Sequence, residues 1–367
     1  MSESPAARAE GERCLAAFRA AGAVEVMPGI LQPAGTLLDL YGEDIRARAY
    51  VTSDPLAGEL MLRPDFTVPV ALAHMEGGAE PARYGYLGPV FRRQERDEGR
   101  AREYLQAGME IFAHGPPERA EAELMGLFDR LLAPLGLHRA IGDIGLLRDA
   151  VAALETTPAR RAALMRHLWR PARFRALLER FAGRAPPPPG RARLLARIEA
   201  EGAAAVMDAA GPGIGARTGD EVAARLHRLA EDAAAPPLPG AQCDLVEALL
   251  AIAAPAPEAA GHIGALAHDW PALAPAAGRF VRRLDAFAAA GLDPAGLTFE
   301  ASFGRTTMEY YDGFVFGFFA PERADLPPVA SGGRYDALTR ALGQGREIPA
   351  VGGVIRPGLV AALRGAS

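Results

Sequence analysis

Residues 103–112 read EYLQAGMEIF, in which an amide and a carboxylate, Gln106 and Glu110, flank Gly108 at strand spacing. Alternation puts Leu105, Ala107, Met109 and Ile111 on one face and Gln106, Gly108, Glu110 and Phe112 on the other. The first face is built for burial. On the second, a buried carboxylate without a counter-charge would be costly, so Glu110 must be solvated, paired or neutralised. Glycine weakens a strand unless something approaches it closely. That face is either wet or the floor of a pocket, and the strand alone leaves both open.

Four further stretches carry groups able to meet a small polar ligand. LRPD at 62–65 sets Arg63 and Asp65 at a strand end, where Asp65 either caps the helix that follows or faces a ligand amine. Arg92 directly follows the apolar run RYGYLGPVF, a natural fork for a carboxylate or phosphate lying over a sheet. The loop beyond it holds Arg93, Arg96, Arg100 and Arg102 with Glu95, Asp97 and Glu98, a charge run that can pair with itself. EYYDGFVF at 309–316 alternates Tyr311 and Gly313 against Tyr310 and Asp312, giving one tyrosine to the core and the other to a groove. SGGRYD at 331–336 sets a glycine pair beside Tyr335, either a turn or a close approach of backbone to ligand. GPGIG at 211–215 follows a helical stretch, lacks the strand context of a dinucleotide site, and reads as a loop.

Composition removes several chemistries. All 40 basic residues are arginine, so no P-loop lysine, Schiff base or lysine general base is available. Cys14 and Cys243 form no C-x-x-C motif and the seven histidines no H-E-x-x-H, which gives no metal site and calls for no cofactor. A net charge of −5 offers no global polycation for nonspecific nucleic-acid binding. No apolar run is long enough for a membrane span and no signal peptide opens the chain, so a soluble, cytoplasmic protein is expected.

These groups need elements to hold them. Helical spacing opens the chain, with Cys14, Leu15, Phe18 and Ala21 on one face. Strands are expected at 48–52, 60–63 and 83–91, a helix at 67–75, and a hairpin joining 83–91 to the strand at 103–112. A helix follows over 117–135. Residues 146–295 are Ala/Leu/Arg-rich, helical in period and broken by PPPP and APPLPG, which reads as a helical insertion subdomain. Strands return at LTFEASF and EYYDGFVFGFF, followed by SGGRYDAL, a helix, VGGVI and a last helix. One mixed sheet assembled from residues 1–145 and 296–367 is the expected core.

In order along the chain, MLRPDFTVPVA, YLGPVFRRQ…GRAREYLQAGMEIFA, MEYYDGFVF and SGGRYDAL…IPAVGGVI resemble the successive motifs of histidyl-tRNA synthetase. The resemblance covers about residues 10–145 and 298–362. It implies an α+β fold of the class II synthetase type, an antiparallel sheet flanked by helices that dimerises through its N-terminal motif. It further implies a histidine pocket. Asp65 and Thr67 match the segment that holds the amino acid, and Arg92 the motif-two arginine. Gln106 and Glu110 match the polar pair of the histidine-binding strand, and Tyr311 and Tyr335 the tyrosines lining the imidazole pocket. Histidine offers an ammonium, a carboxylate and two ring nitrogens, which suit acidic, basic and hydroxyl partners respectively.

The departures narrow the expectation. Thr306 stands where the synthetase has the arginine that promotes activation, with Arg305 one place away, and Leu359 where it has the motif-three arginine. Losing one such electrostatic contact typically costs about 10²–10³ in rate. The resemblance runs out at motif three, so no anticodon-binding domain is expected. A histidine pocket without adenylation or tRNA parts resembles the regulatory subunits of ATP phosphoribosyltransferase. That resemblance implies a non-catalytic chain that binds L-histidine and no tRNA. It would assemble with the short-form catalytic subunit, as hetero-octamers in the family, and mediate feedback on the first step of histidine biosynthesis. The alternatives are a truncated synthetase that keeps adenylation and a free-standing histidine sensor.

Overall fold

The computed structural model describes residues 4–35, 47–94, 101–211, 218–305 and 309–365. Its strands run, in chain order, over Val24–Glu25 (β1), Leu31–Pro33 (β2), Val51–Asp54 (β3), Gly58–Leu62 (β4), Ala82–Phe91 (β5) and Glu103–Phe112 (β6). The later ones are His138–Asp143 (β7), Ala253–Pro255 (β8), Thr298–Glu300 (β9), Phe314–Phe319 (β10), Ala330–Arg334 (β11) and Ala350–Ile355 (β12). The first helices are Pro5–Ala20 (α1), Thr67–Gly77 (α2), Pro117–Leu132 (α3), Ile144–Ala152 (α4), Pro158–Arg166 (α5), Pro171–Phe181 (α6) and Pro189–Glu201 (α7). The remainder are Ala203–Asp208 (α8), Gly219–Ala234 (α9), Gly240–Leu250 (α10), Ala256–Asp269 (α11), Ala274–Ala289 (α12), Asp336–Leu342 (α13) and Pro357–Gly365 (α14).

Nine strands form one sheet in the order β1-β5-β6-β12-β11-β10-β7-β9-β8, and β2-β4-β3 form a small second sheet. The central pairings are antiparallel, while β1 joins β5 and β7 joins β9 in parallel. β6 therefore lies inside the sheet, bonded to β5 on one edge and β12 on the other. It is buried continuously from Leu105 to Phe112, so neither face is wet.

The two faces of β6 are covered by different helices. On the apolar side, Gly85 (opposite Met109) lies against Leu15 and Phe18 of α1, and Phe18 stacks on Phe128 of α3. On the polar side, Phe66 at the head of α2 stacks on Tyr86 with centroids 4.3 Å apart, and His74 stacks on Phe112 at 4.0 Å. The helical reading of residues 67–75 is thus correct, and its consequence is that α2 roofs the face bearing Gln106 and Glu110.

Local details differ from expectation where tertiary pairing decides. The strand expected at 48–52 begins at Val51, where pairing with Met61 of β4 starts, and its turn is held by Asp54 accepting from Leu56 and Ala57. Tyr310 and Tyr311 precede β10, whose ladder begins at Phe314, so alternation does not sort them and both are buried. Gly332 and Gly333 are strand residues of β11 and form no turn.

The chain divides into two compact units, Met1–Leu147 with Leu249–Ser367, and Arg148–Ala248. The division cuts through the helical segment expected at 146–295. Residues 253–300 supply β8 and β9 at one end of the sheet, and α12 packs on α3 through buried Arg283 and Glu121. Among the described residues of the second unit, the regular elements are all helices, joined by turns and linkers. GPGIG lies largely outside the described residues, as do Arg96, Arg100, Glu95, Asp97, Glu98 and Thr306.

Candidate functional site

Glu110 is fully buried and accepts three hydroxyl hydrogen bonds. Thr67 Oγ1 and Tyr86 OH donate to its Oε1, each at 2.8 Å, and Tyr335 OH donates to its Oε2 at 2.6 Å. Among the described residues none of these partners is a cation. Burial raises the carboxyl to about 7, Asp65 nearby adds to the rise, and the three hydroxyls oppose it. Burial and the adjoining Glu110 in turn push the Tyr86 and Tyr335 hydroxyls well above the usual phenol range.

Each donor is placed by its own element. Thr67 is the first residue of α2. Tyr86 lies opposite Gly108 in the β5–β6 register, and a Cβ at Gly108 would collide with the Tyr86 ring. The gap between Gln106 and Glu110 is therefore filled by a neighbouring tyrosine, which answers why glycine stands there. Gly352 of β12 pairs with Glu110 and makes room for the carboxyl itself, since a Cβ there would collide with Oε2. Tyr335 is fixed through its neighbours: Arg334 reaches Glu121 at 2.6 Å and Asp336 at 3.0 Å, and Asp336 accepts from Ala350 N at 2.8 Å. Glu121 also binds Arg283 at 2.6 Å, so α3, α12, β11 and α13 are tied together beneath the tyrosine.

Of the two roles anticipated for Asp65, the structure shows the cap, and the second oxygen takes a tyrosine hydroxyl that alternation does not give it. Its Oδ1 accepts from Val68 N at 3.5 Å, a loose cap on α2, and its Oδ2 accepts from Tyr310 OH at 3.4 Å. Tyr310 is hydrogen-bonded to Tyr311, whose hydroxyl is raised by burial and then by Glu110. Arg92 donates from Nε to Pro64 O at 2.8 Å, and its charge reaches Tyr311. Asp65, Thr67, Arg92, Glu110, Tyr311 and Tyr335 thus converge between α2, β6 and the segment ahead of β10.

Gln106 is different. It shares the Glu110 face and is fully buried, and among the described residues neither its Oε1 nor its Nε2 has a hydrogen-bond partner. Buried side-chain amides are nearly always satisfied, and leaving one unpaired costs about 1–3 kcal/mol per lost partner. An amide able to donate and accept at once, beside two buried carboxylates and a set of hydroxyls, suits a small ligand that carries both a cation and hydrogen-bonding nitrogens.

A family model for histidyl-tRNA synthetase matches residues 2–250 and 241–357 of the chain. A protein of Brucella canis called ATP phosphoribosyltransferase regulatory subunit is 36% identical over 340 residues, which cover 88% of each chain, and one of Brucella suis is equally similar. The chain belongs to the ATP phosphoribosyltransferase regulatory subunit family. Solved structures agree at the level of fold. A regulatory subunit/histidyl-tRNA synthetase from Bacillus halodurans superposes with a TM-score of 0.67 at 18% identity, covering 99% of this chain and 83% of that one. A histidine–tRNA ligase subunit from Alicyclobacillus acidocaldarius gives 0.61 at 21% identity, over 100% and 96% of the two chains.

Within this regulatory subunit family fold, two site residues escape a reading by motif. Tyr86 is legible only once the hairpin register is known, because Phe91 opposite Glu103 forces Tyr86 opposite Gly108. Strand alternation separates Tyr310 from Tyr311 without giving Tyr310 a partner; it holds Asp65, because the strand starts three residues after Tyr311. Leu359 sits half-buried on α14, and Arg305, next to the undescribed Thr306, is buried.

Proposed function

We propose that the chain is the non-catalytic regulatory subunit of a short-form ATP phosphoribosyltransferase, the enzyme opening histidine biosynthesis, and that L-histidine held around Glu110 feeds back on that enzyme. The relatives' name supports the regulatory role. The observation that carries the ligand assignment is the fully buried, unpartnered amide of Gln106 on the same face as Glu110. In this reading Glu110 and Asp65 receive the ligand's cationic nitrogens, Tyr311 and Tyr335 the imidazole, Arg92 the carboxylate, Thr67 holds Glu110 in place, and Gln106 takes a donor and an acceptor. Feedback requires that histidine bind the inhibited arrangement of the complex more tightly than the active one, since equal affinity shifts nothing.

A self-dimer through the N-terminal part of the core belongs to the same proposal. Val24, Met27, Ile30, Leu31, Val51 and Leu56 are exposed large apolar residues gathered in one stretch of chain, the kind of surface a partner covers. Among the described residues no helix is long and apolar enough to cross a membrane.

Calorimetric titration of histidine into the chain tests the site. Wild type should bind, and Glu110→Ala should lose most of the affinity; equal binding by both would remove Glu110 from the site. Titrating the chain into a short phosphoribosyltransferase should raise its activity and restore inhibition by histidine. Appreciable histidine-dependent ATP–pyrophosphate exchange by the chain alone would point instead to a surviving adenylation activity.

A further inference from the structure

The second unit contains a cavity of about 530 Å³ between α5, α6, α7 and α9 whose charge is strongly one-sided. Arg160, Arg166, Arg180, Arg191, Arg225 and Arg228 line it, and among the described residues Asp232 is its sole acidic lining residue. An adjoining cavity of about 580 Å³ shares Arg160, Arg180, Arg191 and Asp232 and extends to Pro187 just ahead of α7.

Asp232 is fully committed. Its Oδ1 accepts from Arg160 Nε at 2.6 Å and its Oδ2 binds Arg191. Arg160 is further fixed by the carbonyls of Pro236, at 2.7 Å, and Asp232, so it is structural. Among the described residues Arg180 bonds to no carboxylate: its guanidinium rests over the Phe181 ring at 5.0 Å, and the Arg160 guanidinium lies 5.1 Å from the same ring. Burial and then the charge of Arg191 make Arg180 a weaker base than usual, with Arg160 adding to the effect and Asp232 only partly opposing it. These are cations held together against repulsion. Arg191 also stands in the first turn of α7, where a cation opposes the helix dipole and, among the described residues, no side chain caps the N–H groups.

An array of guanidiniums around one saturated carboxylate is compensated by an anion of several charges. Arginine forks match phosphate oxygens two at a time, and N–H groups at a helix start add to such a site. Phe181 is nearly fully buried with two guanidiniums over it, so it offers no open face on which a nucleic-acid base could stack. We propose that this cavity binds a small oligophosphate, two or more linked phosphate groups either free or carried on a nucleotide.

The test is calorimetry on the full chain at low ionic strength, with inorganic tripolyphosphate and GTP as probes. The variant is Arg180→Gln with Arg228→Gln, which leaves the Arg160–Asp232–Arg191 set intact, and its circular dichroism checks that it is folded. Tripolyphosphate should bind wild type, with affinity falling as salt rises, and bind the double variant at least about tenfold more weakly. Equal affinities for GTP and tripolyphosphate would assign recognition to the phosphates alone; tighter binding of GTP would make a nucleotide the source. No binding of tripolyphosphate to wild type, or unchanged affinity in the folded variant, would overturn the site. Displacement of tripolyphosphate by a single-stranded RNA at lower concentration would overturn the small-anion assignment.

Discussion

Gln106 and Glu110 stand on one face of one strand, and the described residues around them treat them oppositely: three hydroxyls serve the carboxylate and none serves the amide. Gln106→Leu should therefore stabilise the ligand-free chain by about 1–3 kcal/mol while abolishing histidine binding, a combination that a merely structural glutamine would not give. Urea unfolding paired with calorimetry reads both. Glu110 makes a pH prediction. Its folded carboxyl titrates at about 7 against an ordinary value of 4.5, so the folded chain holds the proton more tightly than the unfolded one. The associated stability is fully present below the lower value and is lost as pH rises through the higher. Glu110→Gln keeps an acceptor and cannot titrate, so wild type should lose ground to it by a few kcal/mol on going from acid to neutral pH. Parallel stability curves for the two proteins would contradict the buried, proton-holding state.

At the scale of elements, the site depends on two close approaches. Gly352→Ala on β12 would drive a methyl into the Glu110 carboxyl and should cost about 1–3 kcal/mol or more by overpacking, with loss of histidine affinity, measurable in the same unfolding and binding experiments. Much of this was legible beforehand. The β5–β6 hairpin, α2 with Asp65 and Thr67 at its head, and the polar parity of β6 follow from alternation, proline placement and the ordered motifs. Local pattern could not supply the register that puts Tyr86 into Gly108, because register belongs to two strands at once. Nor could it fix Tyr310, since alternation presumes a strand that the Asp312 bonds to Asp336 N and Ala337 N delay until Phe314. Helical texture likewise continues across residue 248, although the chain beyond it returns to the sheet unit.

For the whole molecule, the exposed apolar residues between Val24 and Leu56 make the oligomer a measurable property. Leu56 is 99% exposed, so Leu56→Asp combined with Ile30→Asp should leave the fold intact. Light scattering should show the mass fall from two chains to one, and a monomeric wild type would remove this surface from the proposal. The pairing of β6 with β12 carries a different consequence. Asp65, Gln106 and Glu110 are made early on the ribosome, whereas Tyr335 and the Gly352 that accommodates Glu110 arrive only after the entire second unit has been synthesised. A nascent chain stopped before Ala350 holds both carboxylates of the site without the strand that pairs beside β6 and makes room for Glu110. Under the proposed role, sensitivity to histidine is acquired only once β12 has been made and paired with β6.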